Sequence, residues 1–218
     1  MKKHIVCFGD SNTHGYCAQP SDCNDGGNRY NEEERWTCLL QSALGSDYIV
    51  YEEGLSGRTT VFRDPLHEGM SGLDAIGPIL LTHEPVALLV IMLGTNDTKE
   101  RFGVNAAGIA LGLERLIIKA KSVKAWQDDE PQILIISPPC IRNGLYLVPE
   151  GEAMGKGCPE KSQELAARFR TVASATGCHF LDAEGKAEFN SSDCMHLNKK
   201  GHNQLAEALS TLIPTLLR

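Results

Sequence analysis

Two residues near opposite ends of the chain have the types needed for nucleophilic chemistry. Ser11 stands in Gly9-Asp10-Ser11-Asn12-Thr13-His14-Gly15, directly after the apolar run Ile5-Val6-Cys7-Phe8. His196 closes Asp193-Cys194-Met195-His196. A serine hydroxyl is a weak nucleophile at neutral pH until a base takes its proton. The base is usually an imidazole held in one tautomer by a carboxylate. Asp193 and His196 are three residues apart, so one turn of chain can set the carboxylate against Nδ1 and leave Nε2 for Ser11. An Asp-x-x-His taken alone is most often a surface turn. The serine block is what gives it chemical meaning.

Acyl transfer also needs donors for the oxyanion that develops on the carbonyl oxygen. Two blocks between the serine and the histidine supply them. In Gly54-Leu55-Ser56-Gly57-Arg58-Thr59-Thr60, Gly57 lacks a Cβ, so its N–H can approach a ligand closely. In Gly94-Thr95-Asn96-Asp97, the Asn96 side-chain NH₂ is a donor. With the N–H of Ser11, these make a three-donor oxyanion hole. Read singly, Gly57 is a turn glycine and Asn96 a turn or cap residue.

Other polar residues have plainer readings. His14 shapes the first loop, and His202 in Lys200-Gly201-His202 starts the last helix. Cys194 is an alternative nucleophile by position, but nothing around it marks a low-pKa thiol, so it reads as a bystander. Asp10 and Asp97 could form a glycosidase-type carboxylate pair, yet both read as loop braces. Arg58 meets an anionic substrate group or braces its loop. Tyr16, Trp36, Tyr146 and Leu147 wall a pocket or pack. A phosphate-binding module is the rival from another class, since Gly9 to Gly15 follows a strand. The segment lacks G-x-x-x-x-G-K-[ST] and G-x-G-x-x-G, and no helix start is read promptly after it.

The elements that must position these residues alternate between strand and helix. Strands are expected at Ile5–Phe8, Tyr48–Tyr51, Val86–Leu93, Ile133–Ile136 and His179–Leu181. Val86–Leu93 is an uninterrupted apolar run, as in a parallel strand covered on both faces. Helices are expected at Glu32–Leu44 (with Asn31 as N-cap and acidic residues in the first turn), Leu73–Thr82, Ala106–Lys121, Glu160–Thr176 and Asn203–Leu217. Pro78 is expected to shorten or kink the second of these. Residues 15–31 and 138–157 read as long loops. This alternation predicts an α/β fold, a three-layer α/β/α sandwich with a five-stranded parallel sheet in flavodoxin-like order 2-1-3-4-5. Ligands bind beyond the carboxyl ends of such strands. The motifs lie just after predicted strands or in a late loop, and so can converge there.

Taken together, Gly9-Asp10-Ser11, Gly57, Gly94-x-Asn96-Asp97 and Asp193-x-x-His196 resemble the SGNH (GDSL) hydrolase superfamily, in the family's order and over nearly the whole chain. The longer strings Glu53 to Thr60 and Met92 to Lys99 look like the bacterial arylesterase/acyltransferase branch. The resemblance implies Ser11 as nucleophile, His196 as base, Asp193 as its orienter, and an oxyanion hole made by Ser11 N–H, Gly57 N–H and Asn96. It implies the three-layer fold, no cofactor, no metal, and small, often acetyl, acyl groups. It also implies a homo-oligomer. Asn12 stands where many members carry an apolar or a different polar residue, and the 15–31 and 138–157 loops are this chain's own. The expected activity is serine esterase on short-chain esters through an acyl-Ser11 intermediate, with transfer to other alcohols in a dry pocket. O-acetylated sugars, aryl esters, lysophospholipids and thioesters stay open as substrates.

Composition bounds the partners. At 218 residues the chain reads as one domain over 1–218, able to bury about 70% of its unfolded surface. A 42% apolar and 22% charged composition is that of an ordinary globular protein. A net charge of −7 argues against nucleic-acid and anionic-membrane surfaces. The expected partner is therefore a small-molecule ester, with no nucleic acid and no membrane. The eight cysteines include no C-x-x-C and no zinc-like spacing. Only the run Ile5 to Phe8 stands between Met1-Lys2-Lys3-His4 and Gly9, too short for a signal-peptide core. The expected location is cytoplasmic, with free thiols.

Overall fold

The computed structural model describes residues 1–217. In chain order they form β1 (Lys3–Gly9), α1 (Ser11–His14), α2 (Trp36–Leu44), β2 (Tyr48–Gly54), α3 (Gly72–Thr82), β3 (Val86–Met92), α4 (Ala106–Lys121), β4 (Ile133–Ser137), α5 (Glu150–Met154), α6 (Cys158–Thr176), β5 (His179–Asp182) and α7 (Lys199–Leu216). The five strands make one sheet in the order β2-β1-β3-β4-β5. Every neighbouring pair is parallel. This is the α/β/α sandwich and strand order that the alternating pattern predicts.

The two-residue period of the central strands splits the core into two layers. Val6 and Phe8, Leu89 and Ile91, and Ile133 and Ile135 face Ile76 and Leu80 of α3, Ile109, Leu113 and Leu116 of α4, and Leu165 and Phe169 of α6. Ile5 and Cys7, Leu88, Val90 and Met92, and Leu134 and Ile136 face Trp36 and Leu40 of α2 and Leu205, Leu209 and Ile213 of α7. All seven residues of β3 are buried, which accounts for its unbroken apolar run.

Where the element bounds differ from the sequence reading, tertiary partners decide. The helix expected from Glu32 begins at Trp36, and Asn31 does not cap it. Glu34 is fully buried, accepts from Asn24 N–H at 3.0 Å and pairs with Lys199 Nζ at 2.9 Å. Arg35 reaches Glu52 at 2.7 Å. These bonds hold residues 31–35 in turns, and the first helical N–H, that of Trp36, donates to His202 Nδ1 at 3.2 Å. The last helix begins four residues earlier than expected, at Lys199, because Asn198 Oδ1 caps it by accepting from Gly201 N–H at 2.8 Å. A short helix, α1, does follow β1 directly, contrary to the expectation of none. Asp10 caps it, its Oδ1 accepting from Asn12 N–H at 3.0 Å. The 138–157 segment, expected as a loop, contains a 3₁₀ turn at Asn143–Leu147 and α5. α3 runs through Pro78 to Thr82.

Candidate active site

The carboxyl ends of β1, β2 and β3 deliver Ser11, Gly57 and Asn96 to one rim of the sheet. Ser11 is the first residue of α1, two residues beyond the end of β1. Asn96 opens a 3₁₀ turn four residues after β3. Gly57 lies in the turn after β2 with φ +93°, a backbone conformation that only glycine adopts without strain. The segment between β5 and α7 brings His196 to the same place from the other end of the chain.

Ser11 Oγ lies 2.8 Å from His196 Nε2. His196 Nδ1 pairs with Asp193 Oδ2. Asp193 Oδ1 accepts from the N–H groups of Met195 and His196, both at 3.1 Å. Burial opposes ionisation of Asp193. The hydrogen bond and charge of His196, with those two N–H groups, outweigh it and hold the carboxyl below its usual range. A carboxylate on Nδ1 keeps that nitrogen protonated, so Nε2 is the acceptor facing the Ser11 hydroxyl. Serine and histidine are 7% and 8% exposed. They are nearly dry, which strengthens each of these electrostatic contacts.

Asn190 frames the turn that carries this pair, a role the sequence reading missed. Its Oδ1 accepts from Ser192 N–H at 2.9 Å and Asp193 N–H at 3.0 Å. Its own N–H and Nδ2 donate to His196 O at 2.8 and 3.0 Å. Asn flanking Asp-x-x-His as a turn brace was the only signal available. Cys194 closes the turn with φ +63°. Burial pushes its thiol pKa up, and Asp193 adds to that, so it stays protonated at neutral pH.

Gly57 and Asn96 line the same cleft as Ser11. Asn96 is 7% exposed, with Nδ2 3.5 Å from Asp10 Oδ2. Neither Ser11 N–H nor Gly57 N–H donates to another group among the described residues. A cleft of about 590 Å³ opens here. Ser11, Gly57, Asn96 and His196 line it together with Tyr16, Ser56, His67, Met70, Lys99, Met195 and residues 150, 153 and 154 of α5. Both of the chain's own loops therefore contribute walls. The Tyr16 ring lies 4.7 Å from that of His196, centroid to centroid.

The remaining candidates lie outside the cleft. Arg58 is buried, donates to Gly9 O at 3.0 Å and to Glu53 O, and stacks 4.3 Å over Phe8. It braces its loop and is not among the residues lining the cleft. Asp97 is fully buried and accepts from Thr60 N–H at 2.9 Å and Thr60 Oγ1 at 2.5 Å. Burial pushes the carboxyls of both Asp10 and Asp97 up to about 6. His202 is fully buried, and burial lowers its pKa to about 3, so it is a neutral acceptor for α2. Trp36 packs in the core, and Tyr146 braces its loop by accepting from Gly157 N–H at 2.9 Å. Leu147 is 89% exposed and does neither.

The sequence profile of the GDSL-like lipase/acylhydrolase family matches residues 7–204. The chain belongs to that family, and it is a carboxylic ester hydrolase. Among solved structures, it is similar to an aryl esterase from M. smegmatis, with 33% identity over 99% of this chain and 100% of that one and a TM-score of 0.86. A carbohydrate acetylesterase family member from Sinorhizobium meliloti shares 34% identity over 99% of each chain, with a TM-score of 0.87. A second carbohydrate acetylesterase from that organism shares 30% identity over 99% of this chain and 100% of that one, also with a TM-score of 0.87. No curated protein matches by sequence. No helix among the described residues is long and apolar enough to cross a membrane.

Proposed function

We propose that the protein hydrolyses short-chain, acetyl-type carboxylic esters through an acyl-Ser11 intermediate. The observation that carries this reading is the hydrogen-bonded series Ser11 Oγ, His196 Nε2, His196 Nδ1 and Asp193, opening onto a cleft beside Gly57 and Asn96. His196 takes the Ser11 proton as Oγ attacks the acyl carbon. The tetrahedral oxyanion is held by the N–H groups of Ser11 and Gly57 and by Asn96 Nδ2. As the intermediate collapses, His196 returns the proton to the departing alcohol. Water, deprotonated by the same imidazole, then attacks acyl-Ser11, and the acid leaves through a second tetrahedral intermediate. Asp193 keeps the tautomer and steadies the imidazolium throughout.

Likeness to both an aryl esterase and carbohydrate acetylesterases supports acetyl esters of phenols and of sugars as the first substrates to try. The test is hydrolysis of p-nitrophenyl acetate, followed by a panel of acetylated sugars, aryl esters and acyl-CoAs. Ser11→Ala is expected to fold normally and to lose nearly all activity. A serine-directed phosphonate should leave its adduct on the Ser11 peptide. An adduct on Cys194, or full activity in the alanine variant, would overturn the assignment.

A further inference from the structure

Asn12 bonds to the chain on both sides of His196. Its Oδ1 accepts from Leu197 N–H at 2.8 Å, and its Nδ2 donates to Met195 O across a longer 3.5 Å. Its own carbonyl is fixed in turn by Trp36 Nε1 at 3.0 Å, and its N–H by Asp10 Oδ1 at 3.0 Å. The side chain is 1% exposed.

We propose that Asn12 is a positioning residue for ester hydrolysis, clamping the peptide groups that flank His196 so that the imidazole stays in register with Ser11. The inference rests on the Ser11–His196 relay proposed above. Its physical basis is geometric. Ser11 and His196 arrive from opposite ends of the chain, and the local bonds of Asp193 and Asn190 fix the histidine within its own turn but not relative to α1. Asn12 adjoins Ser11 in sequence and bonds at 195 and 197, so it ties the two turns together where the proton must pass. The relay bond is 2.8 Å long. A displacement of about 1 Å takes it beyond hydrogen-bond reach, and misplacements of that size can cost about 10²-fold in rate. An apolar residue here would also leave the buried Leu197 N–H without its partner.

The experiment compares wild type, Asn12→Ala and Asn12→Asp, with rates expressed per site titrated by phosphonate, and Ser11→Ala, with its rate expressed per mole of protein. Asn12→Ala is expected to lower kcat for p-nitrophenyl acetate about 10–100-fold, with KM held within about 2-fold because no cleft group changes. The rate of phosphonate labelling should fall by a similar factor, since it too depends on the activated hydroxyl. Asn12→Asp keeps the acceptor for Leu197 N–H and should recover part of kcat. Its carboxylate, bonded to the peptide that follows His196, should move the pH–rate profile up. A merely structural role would lower the unfolding temperature and leave kcat per titrated site at the wild-type value. That result overturns the inference while leaving the function standing, provided Ser11→Ala is inactive. An active Ser11→Ala overturns the relay itself. Should Asn12→Ala not fold, Asn12→Asp decides: a wild-type kcat with an unmoved pH profile also overturns the inference.

Discussion

Asn96 lines the cleft from a position set by its own turn and by Asp10. Its backbone belongs to a tight turn after β3, and its amide lies 3.5 Å from Asp10 Oδ2. Asp10 also caps α1, so one carboxylate touches both the serine-bearing helix and the amide. An amide so held contributes most when charge develops, because its hydrogen bond strengthens as the carbonyl oxygen becomes an oxyanion. Asn96→Ala is therefore expected to lower kcat by about 10²–10³, roughly 2.7–4 kcal/mol, with a smaller change in KM. Steady-state kinetics on p-nitrophenyl acetate checks it. A raised KM with kcat unchanged would assign Asn96 to substrate binding and remove it from the oxyanion hole.

At the scale of elements, the site depends on how closely α1 seats on the sheet. A Cβ built on Gly54, the last residue of β2, would lie 2.1 Å from His14 N and 2.5 Å from Thr13 C. Both are backbone atoms of α1, so they cannot swing aside. Gly54→Ala must push back the helix that carries Ser11. Overpacking of this kind costs about 1–3 kcal/mol, which for a chain of this size lowers the unfolding temperature by several degrees. The expected outcome is that loss together with a reduced kcat, read by thermal unfolding and kinetics on the same sample. Wild-type values of both would show that β2 does not set the place of α1.

Elements were legible in the sequence where one local signal sufficed. Ala106–Lys121 carries a helix-period apolar face, and its bounds are as expected; the Asn105 cap is what the structure adds. The start of α2 was not legible, because the partners of Glu34 and Arg35, namely Lys199 and Glu52, lie far away along the chain. The same distinction holds in the site. Ser11, Gly57, Asn96, Asp193 and His196 stand in short motifs, and the structure brings four of them to one cleft with Asp193 behind His196. Asn12 and Asn190 act on backbone groups, and a peptide N–H or C=O has no signature in the sequence.

Over the whole molecule, buried carboxyls pull stability in opposite directions as pH changes. Asp193 and Glu52 are both opposed by burial, yet both are held below their usual range by hydrogen bonds, from His196 and from Arg35 and Thr37 respectively. The stability they contribute is present above the unfolded carboxyl pKa and is lost as pH falls through the folded values. Asp97 behaves the other way, because burial raises it from 3.8 to about 6 despite the bonds from Thr60. Between those two values the folded chain binds more protons than the unfolded one. Its contribution is thus fully present below about pH 4 and is lost as pH rises through about 6. Asparagine imitates the protonated acid. Its carbonyl can take the place of Oδ1, where the Thr60 hydroxyl bond and the shorter branch of the Thr60 N–H bond arrive, and its NH₂ that of Oδ2, which gives up only the longer 3.2 Å branch of that N–H bond. Asp97→Asn should therefore remove this titration while keeping the fold. Relative to wild type, the variant is expected to gain about 1 kcal/mol between pH 5 and pH 8, or about 2–4 °C in unfolding temperature. Thermal unfolding of both proteins at those two pH values checks it. A difference that stays constant with pH would show that Asp97 does not titrate in this window, and that Thr60 alone keeps its buried charge in place.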